Sequence, residues 1–311
     1  MPDAPVVTTR SEKPVYFSSG DETLFGILTE PVVAPRGVAV ILIYGGGHNV
    51  SAHVGQLWTR MARRVAADGF HALRYDHHGN GDSTGRAEVF DHRTPFVDDL
   101  KAAVSYLQEH EGIPAVVFVG DCLGARAALV AAPDLPGVKG LYMMSPMVYD
   151  GRMGKEDEWA ESYSTGHYIR RALQWRTLKK LTDPRLRRAA LRVATSKLKK
   201  VTRTASKAFG RSAPAASEAG VEVSSNFLVP LEQVAARRIP INWVFGSTDS
   251  ERRGEFDAAL AGPLARLWEN AEGVWEISEV TGRITVHPDL SAQNDLVEDL
   301  AGWLQRIDPV S

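Results

Sequence analysis

The sequence predicts an α/β fold: a mostly parallel sheet with helices on both faces and a helical insertion. Strand-like and helix-like segments alternate along most of the 311 residues, which is typical of parallel strands joined by right-handed crossovers. The run 37–44 is continuously apolar and rich in β-branched residues, as expected for a strand buried on both faces. The interval 150–236 interrupts this alternation and contains no convincing buried strand.

The individual elements follow in chain order from an antiparallel opening pair. Two short alternating runs, 15–18 and 23–29, flank a turn at Gly20 and Asp21. The apolar strand 37–44 comes next. Further strands are predicted at 70–75, 115–119, 138–144, 241–245 and 274–280. Helices are predicted from 3.6-residue periodicity at 53–68, 95–110, 123–132, 254–270 and 292–304.

The interval 150–236 is predicted to be a basic helical insertion in a core made of residues 1–149 and 237–311. It has helix-like stretches followed by a Ser/Ala/Gly-rich passage at 212–220. Between residues 151 and 211, seventeen Lys and Arg stand against five Asp and Glu, whereas the whole chain has a net charge of −2. This charge asymmetry indicates that the insertion differs in role from the acidic remainder.

Composition excludes several classes of protein. With 44% hydrophobic and 24% charged residues, the chain has the composition of a globular protein. No apolar run is long enough to cross a bilayer, so we expect a cytoplasmic protein without integral membrane contact. A single cysteine cannot form an internal disulfide or a Cys-rich metal centre, and neither the histidines nor the glycines match a metal or nucleotide motif. We therefore expect no metal and no cofactor, and the sequence pI of about 6.5 argues against nucleic acid binding.

The strongest chemical motif is a strand, a sharp turn and a helix at 115–125. The turn reads Gly120-Asp-Cys122-Leu-Gly124, which is a G-x-S-x-G nucleophile elbow with Cys in the Ser position. Small residues two before and two after the nucleophile let strand and helix approach closely, and the helix N-terminus favours a thiolate. The alternative is a structural thiol that fills the core, as many free cysteines do. The elbow context favours the nucleophile.

At this point the chain resembles the α/β-hydrolase superfamily over about residues 15–304, most closely its capped, thioesterase-like branch. The stretch 74–83, RYDHHGNGDS, is similar to the R-x-D-x-x-G-x-G-x-S turn of that family. The family usually carries Ser at the elbow, so Cys122 is a departure. In this respect the chain is similar to dienelactone hydrolases and to Cys-dependent acyltransferases and Dieckmann-type cyclases, which implies a Cys–His–Asp triad.

The triad order in this fold is nucleophile, acid, histidine. Asp249 follows the strand 241–245 and a Gly turn, which is the position of the family's acid, and His287 lies after the last strand, at the position of its base. His287 would either deprotonate the thiol or hold it as a thiolate–imidazolium pair, and Asp249 would fix the imidazole tautomer. The competing acids are Asp257, too far into a predicted helix, and Asp289, adjacent to the base rather than beneath it.

Two backbone amides are expected to form the oxyanion hole. One is the N–H of Leu123, directly after the nucleophile, and the other is the N–H of Gly46 within the Gly45–Gly47 run. A loose glycine loop is the alternative reading of that run. His53 has no assigned task, and Asp121 is expected to leave the turn in a different direction from Cys122.

The expected function is acyl transfer through an acyl-Cys thioester, as in a thioesterase, cyclase or acyltransferase of a biosynthetic pathway. A thioester on Cys122 is close in energy to a thioester donor, so the acyl group stays activated for transfer. An acidic carrier protein or coenzyme A could dock on the basic insertion, although a solvated helical face or contact with an anionic membrane surface would leave the same pattern. Hydrolysis of esters or lactones, carbon–carbon bond cleavage and an inactive binding protein remain open alternatives.

Overall fold

The computed structural model describes residues 11–45, 50–86, 96–149, 223–284 and 289–309. Within these residues, eight strands form one sheet in the order β1-β2-β4-β3-β5-β6-β7-β8. Their bounds are β1 Glu12–Ser19, β2 Glu22–Thr29, β3 Val38–Ile43, β4 His71–Tyr75, β5 Ala115–Asp121, β6 Val138–Met144, β7 Ile241–Gly246 and β8 Trp275–Val280. Strand β2 is antiparallel to β1 and β4, and the remaining pairs are parallel. The predicted antiparallel opening pair and mostly parallel sheet are confirmed.

Seven α-helices accompany the sheet in the described part of the chain. They are α1 Leu57–Ala67, α2 Val97–Glu109, α3 Leu123–Ala131, α4 Ser225–Ala236, α5 Ser250–Leu260, α6 Ala265–Asn270 and α7 Leu290–Ile307. Helices α1 and α7 cover one face of the sheet, and α2, α3 and α4 cover the other. The predicted α/β fold with helices on both faces is confirmed.

Strand β3 explains why the central strands are apolar throughout. Its residues alternate between two cores: Val40 and Leu42 pack on the side of α1 and α7, whereas Ile41 and Ile43 pack on the side of α2 and α3. All six residues of β3 are buried. Successive side chains of a strand point to opposite faces, so a strand covered on both sides needs an apolar residue at every position.

Two helix boundaries differ from the sequence prediction for local reasons. Helix α1 begins at Leu57 rather than at residue 53, because Gly55 and Gln56 both have φ of 62° and cannot continue a right-handed helix. The predicted helix 254–270 is two helices, α5 and α6. Pro263 lies between them, and proline lacks the N–H and sterically blocks the preceding turn of a helix.

The predicted insertion, 150–236, lies outside the described residues up to position 222. Its described end contains α4, whose residues Phe227, Leu231 and Val234 are fully buried in the main core. The basic stretch 151–211 lies outside the described residues, and its helical insertion stays a prediction. In the described ranges, no helix is both long and apolar enough to span a membrane.

Replacement of Leu231 by Ala tests the place of α4 in the core. Removal of a buried leucine side chain leaves a cavity, so we expect Leu231→Ala to lower the free energy of unfolding by about 2–5 kcal/mol. The matched control is Val229→Ala on the same helix, where the side chain is 51% exposed and the change should stay within about 0.5 kcal/mol. Chemical denaturation measures both. Equal effects of the two substitutions would contradict the packing of α4.

Candidate active site

The candidate site lies at the carboxyl ends of the parallel strands, where β5 turns sharply into α3. Cys122 is the single residue between them, with φ of 48° and ψ of −106°. Its backbone N–H donates to the carbonyl of Met144, at the end of β6, over 2.9 Å. Such a conformation costs a non-glycine residue about 1–3 kcal/mol and persists only where the surroundings determine it. Strand pairing before the turn and the helix after it supply that constraint.

Three glycines leave the space that this turn occupies. A Cβ atom at Gly120 would overlap the backbone of Gly124, and one at Gly124 would overlap the carbonyl of Ile43. A Cβ at Gly45 would lie 3.0 Å from the carbonyl oxygen of Asp121 and 3.2 Å from the amide nitrogen of Leu123. The sequence-based explanation of the G-x-C-x-G spacing is therefore confirmed. The contact at Gly45 also brings the end of β3 beside the predicted oxyanion amide.

The Cys122 thiol has a pKa raised from about 9 to about 11. Part of the residue surface is accessible, but the surrounding protein withdraws the sulfur from bulk water, and this desolvation is the largest cause. Arg252 and a hydrogen bond from the Leu123 N–H act in the opposite direction, while the charge of Asp121 raises the pKa further. The helix N-terminus was expected to favour a thiolate. Desolvation outweighs it, and the resting group is a neutral thiol.

Asp249 lies just after β7, at the N-cap of α5, and its side chain is buried. Its Oδ2 accepts the backbone N–H of Ile284 over 3.0 Å and the hydroxyl of Ser145 over 3.4 Å. The guanidinium of Arg283 lies 3.6 Å from Oδ1. Asp249 therefore binds the chain that follows β8, three residues before position 287, as a triad acid beneath a histidine would.

Two predicted site residues, His287 and Gly46, lie outside the described residues, so their roles stay predictions. Among the described ones, Cys122 and Leu123 occupy the elbow, and Asp249 lies at the same edge of the sheet.

The competing acids have other positions. Asp257 is inside α5, where it pairs with Arg253 over 2.8 Å on an exposed surface. Asp289 is the N-cap of α7 and accepts the N–H of Ala292 over 2.8 Å. Asp257 and Asp289 are both exposed, whereas Asp249 is buried at the sheet edge that carries Cys122.

The stretch 74–83 contains the end of β4 and the turn after it, and the buried carboxylate of Asp76 organises that turn. Asp76 accepts the backbone N–H of Ser51 over 2.5 Å through Oδ1 and that of Asp82 over 3.1 Å through Oδ2. The Ser83 hydroxyl closes the turn by donating to the carbonyl of Asp76 over 2.6 Å. The buried carboxylate therefore links the turn after β4 to the segment that precedes α1.

Sequence reasoning missed two contributors to the site. Ser145 follows β6, has φ of 43° and binds Asp249. Its position directly after a buried strand, at the edge where the other strands carry site residues, is a signal that could have found it. The second is a buried hydrogen bond between His53 Nε2 and Asp121 Oδ2 at 3.1 Å. These two residues are far apart in sequence, and no motif joins them.

Comparison with known proteins agrees with this geometry. Residues 36–249 match the model of the family described as serine aminopeptidase, S33, which is more than half of the chain. The chain belongs to this family and has the α/β-hydrolase fold.

Two curated relatives each match part of the sequence. A monoglyceride lipase homolog of Monkeypox virus is 25% identical over 134 residues, or 42% of this chain and 46% of that protein. The monoglyceride lipase of Homo sapiens is 29% identical over 116 residues, or 37% of each. The chain thus spans less than half the length of these curated relatives. A solved esterase of Pyrococcus furiosus is similar in fold, with a TM-score of 0.57 at 15% identity over 98% of this chain and 94% of that one.

Alkylation of the single cysteine measures the thiol directly. Because the pKa of Cys122 is about 11, only about one thiol in ten thousand is ionised at pH 7. We expect the rate of iodoacetamide labelling, followed by intact mass, to rise about tenfold per pH unit from about pH 6 to 10, whereas the rate for a cysteine in a short unstructured peptide should level off near its usual pKa of about 8.5. A plateau of the protein rate below pH 8 would contradict the neutral thiol and indicate a thiolate–imidazolium pair.

Proposed function

We propose that this member of the α/β-hydrolase superfamily transfers acyl groups through a thioester formed on Cys122, with His287 as general base and Asp249 as the residue that orients it. The observation that carries the proposal is the elbow. A cysteine in strained geometry stands between a buried strand and a helix, with the Leu123 amide beside its sulfur. A core-filling thiol needs neither the strain nor the three glycines packed around it.

The neutral state of the thiol determines the first step. A general base must take the thiol proton while the sulfur attacks the acyl carbon, so the chemistry resembles that of a serine hydrolase more than that of a preformed thiolate. In the proposed step His287 accepts this proton, and the new S–C bond converts the carbonyl oxygen to an oxyanion. The amides of Leu123 and Gly46 donate to that oxygen. When the intermediate collapses, the C–S or C–O bond of the donor breaks and its leaving group takes the proton from His287.

Asp249 supports the base through the loop it binds. Its carboxylate receives the Ile284 N–H from the same connection that carries residue 287. A buried carboxylate at this place would hold the imidazole in one tautomer and stabilise the imidazolium that forms during acylation.

Sulfur chemistry favours transfer over simple ester hydrolysis. The acyl-Cys intermediate is itself a thioester, so a carrier-protein or coenzyme A thioester can load Cys122 with little change in free energy, and an amine, alcohol or carbanion then receives the acyl group. The basic stretch 151–211, with seventeen Lys and Arg, supports an anionic donor such as an acidic carrier protein or the phosphates of coenzyme A.

Ester hydrolysis is the second candidate. The proteins that match are named monoglyceride lipases, and a structurally similar one is named an esterase. With water in place of the acceptor, the same Cys122 intermediate would release a free acid.

Acylation is tested by intact-mass spectrometry with short- and medium-chain acyl thioesters of N-acetylcysteamine and coenzyme A. We expect the mass to rise by one acyl group in place of one hydrogen, and Cys122→Ala to remove the adduct completely because the chain has no other cysteine. Incubation of the acylated protein with and without amine and alcohol acceptors then separates transfer from hydrolysis. No adduct with any donor would contradict the proposed function.

Substitution of Asp249 by Asn tests the orienting role. Asn keeps the acceptor for the Ile284 N–H but loses the charge, so we expect acylation to slow by about 10²- to 10⁴-fold with little loss of stability. The matched control is Asp257→Asn, which removes a surface carboxylate from α5. Stopped-flow or quenched-flow mass spectrometry gives both rates. Similar rates for Asp249→Asn and Asp257→Asn would exclude Asp249 as the triad acid.

A further inference from the structure

A second buried histidine lies beside the elbow. His53 Nε2 and Asp121 Oδ2 are 3.1 Å apart, and both side chains are almost fully buried. Asp121 directly precedes Cys122, and His53 stands in the short segment before α1. The bond therefore joins two elements more than sixty residues apart at the residue next to the proposed nucleophile.

The backbone is strained at one end of this bond and directly after the other. His53 has φ of 60° and ψ of 172°, a region that non-glycine residues rarely adopt. Its N–H donates to the carbonyl of Val50 over 2.7 Å, and its ring lies against that of Trp58 with centroids 4.5 Å apart. The residue that follows Asp121, Cys122, is strained as well. A buried polar contact thus ties one strained residue to the immediate neighbour of another.

The position of Asp121 makes this geometry matter for chemistry. Asp121, Cys122 and Leu123 are consecutive, so only Cys122 separates Asp121 from the peptide that bears the Leu123 N–H. The carbonyl of Asp121 packs against Gly45 on one side, and its carboxylate is held by His53 on the other. The backbone carbonyl of Asp121 and one oxygen of its carboxylate are therefore each held by a contact.

We infer that His53, acting through Asp121, is a positioning residue that aims the Leu123 amide at the oxyanion formed during acylation of Cys122. This inference rests on the proposed function, because acylation of Cys122 is the step that creates the oxyanion. His53 touches neither the substrate nor the reacting atoms in this role. The second ring nitrogen, Nδ1, has no hydrogen-bond partner among the described residues, so the Asp121 bond is the polar contact of the ring there.

The carboxylate of Asp121 also has an electrostatic effect on the thiol, so substitutions of Asp121 and of His53 have different expected effects. The charge of Asp121 raises the pKa of the Cys122 thiol. Asp121→Asn removes that charge but keeps an oxygen that can accept from His53. It should therefore increase alkylation of the thiol while it preserves the positioning bond.

Two reactions of the same sulfur distinguish positioning from general damage. Acylation by a thioester passes through an oxyanion and depends on the Leu123 amide, whereas alkylation by iodoacetamide displaces iodide at a saturated carbon and forms no oxyanion. Among variants with the same charge at position 121, the ratio of the two rates is thus a measure of oxyanion positioning. A change in folding or in access to the thiol would move both rates together.

The experiment compares this ratio in the full-length protein and four variants. His53→Phe keeps a ring against Trp58 but removes the bond, and we expect it to lower the acylation-to-alkylation ratio by about 10- to 100-fold, less than the loss of a whole oxyanion donor. His53→Gln restores a donor and should return the ratio to within about threefold of wild type, since a side-chain amide N–H can bind a carboxylate. Asp121→Asn should raise alkylation with acylation retained. His110→Phe, at an exposed histidine, is the control and should change neither rate.

Each outcome decides the inference. A wild-type ratio in His53→Phe, or a ratio in His53→Gln as low as in His53→Phe, would overturn it while the proposed function stands. The absence of an acyl adduct on the wild-type protein would overturn the proposed function and this inference with it. If His53→Phe fails to fold by circular dichroism, Asp121→Leu removes the same bond from its other side, and the same fall in ratio is required relative to Asp121→Asn, which loses the same charge but keeps the bond.

Discussion

The close approach of β3, β5 and α3 at the elbow is the constraint on which the site depends. The backbone of Gly124 lies against the end of β3, and Gly120 lies against the first turn of α3, so neither position has space for a side chain. Cys122 thereby takes a positive φ at the carboxyl end of β5. The same approach brings Gly45 beside the Leu123 amide, so the proposed nucleophile and the proposed oxyanion donor come from a single packing arrangement.

The elbow also determines the ionisation of its cysteine. A helix N-terminus favours a thiolate, but loss of hydration disfavours it. Here the protein around the elbow desolvates the sulfur, and this effect on the pKa is the larger one. The pKa of about 11 leaves the thiol neutral, so the proposed acylation of Cys122 needs a general base. In that proposal, sulfur in place of oxygen changes the intermediate, which becomes a thioester, more than it changes the way in which the nucleophile is activated.

Local patterns in the sequence were sufficient to predict the fold and to select three candidate site residues that the structure places at one edge of the sheet. The elbow, with Cys122 and Leu123, is contained in eleven consecutive residues, and Asp249 follows its strand directly. The early end of α5 and the late start of α1 depend on backbone conformations that periodicity does not record. The bond of His53 to Asp121 could not be predicted, because it depends on how α1 is placed over β5. The raised pKa of the thiol could not be predicted for a related reason, since desolvation is the sum of many contacts from residues distant in sequence, and it outweighs the favourable Leu123 amide.

Two buried carboxylates near the elbow illustrate how position separates roles within one site. Asp249 accepts a backbone N–H from the connection after β8, so its charge acts on that loop and on the base expected there. Asp121 is one residue from the sulfur, where its negative charge opposes thiolate formation, yet it is held by His53 on the side of α1. A carboxylate that close to a nucleophile is unfavourable for ionisation of the thiol. Its presence is explained if the carboxylate supports the backbone of the elbow, which would have to keep its strained geometry during the proposed acylation.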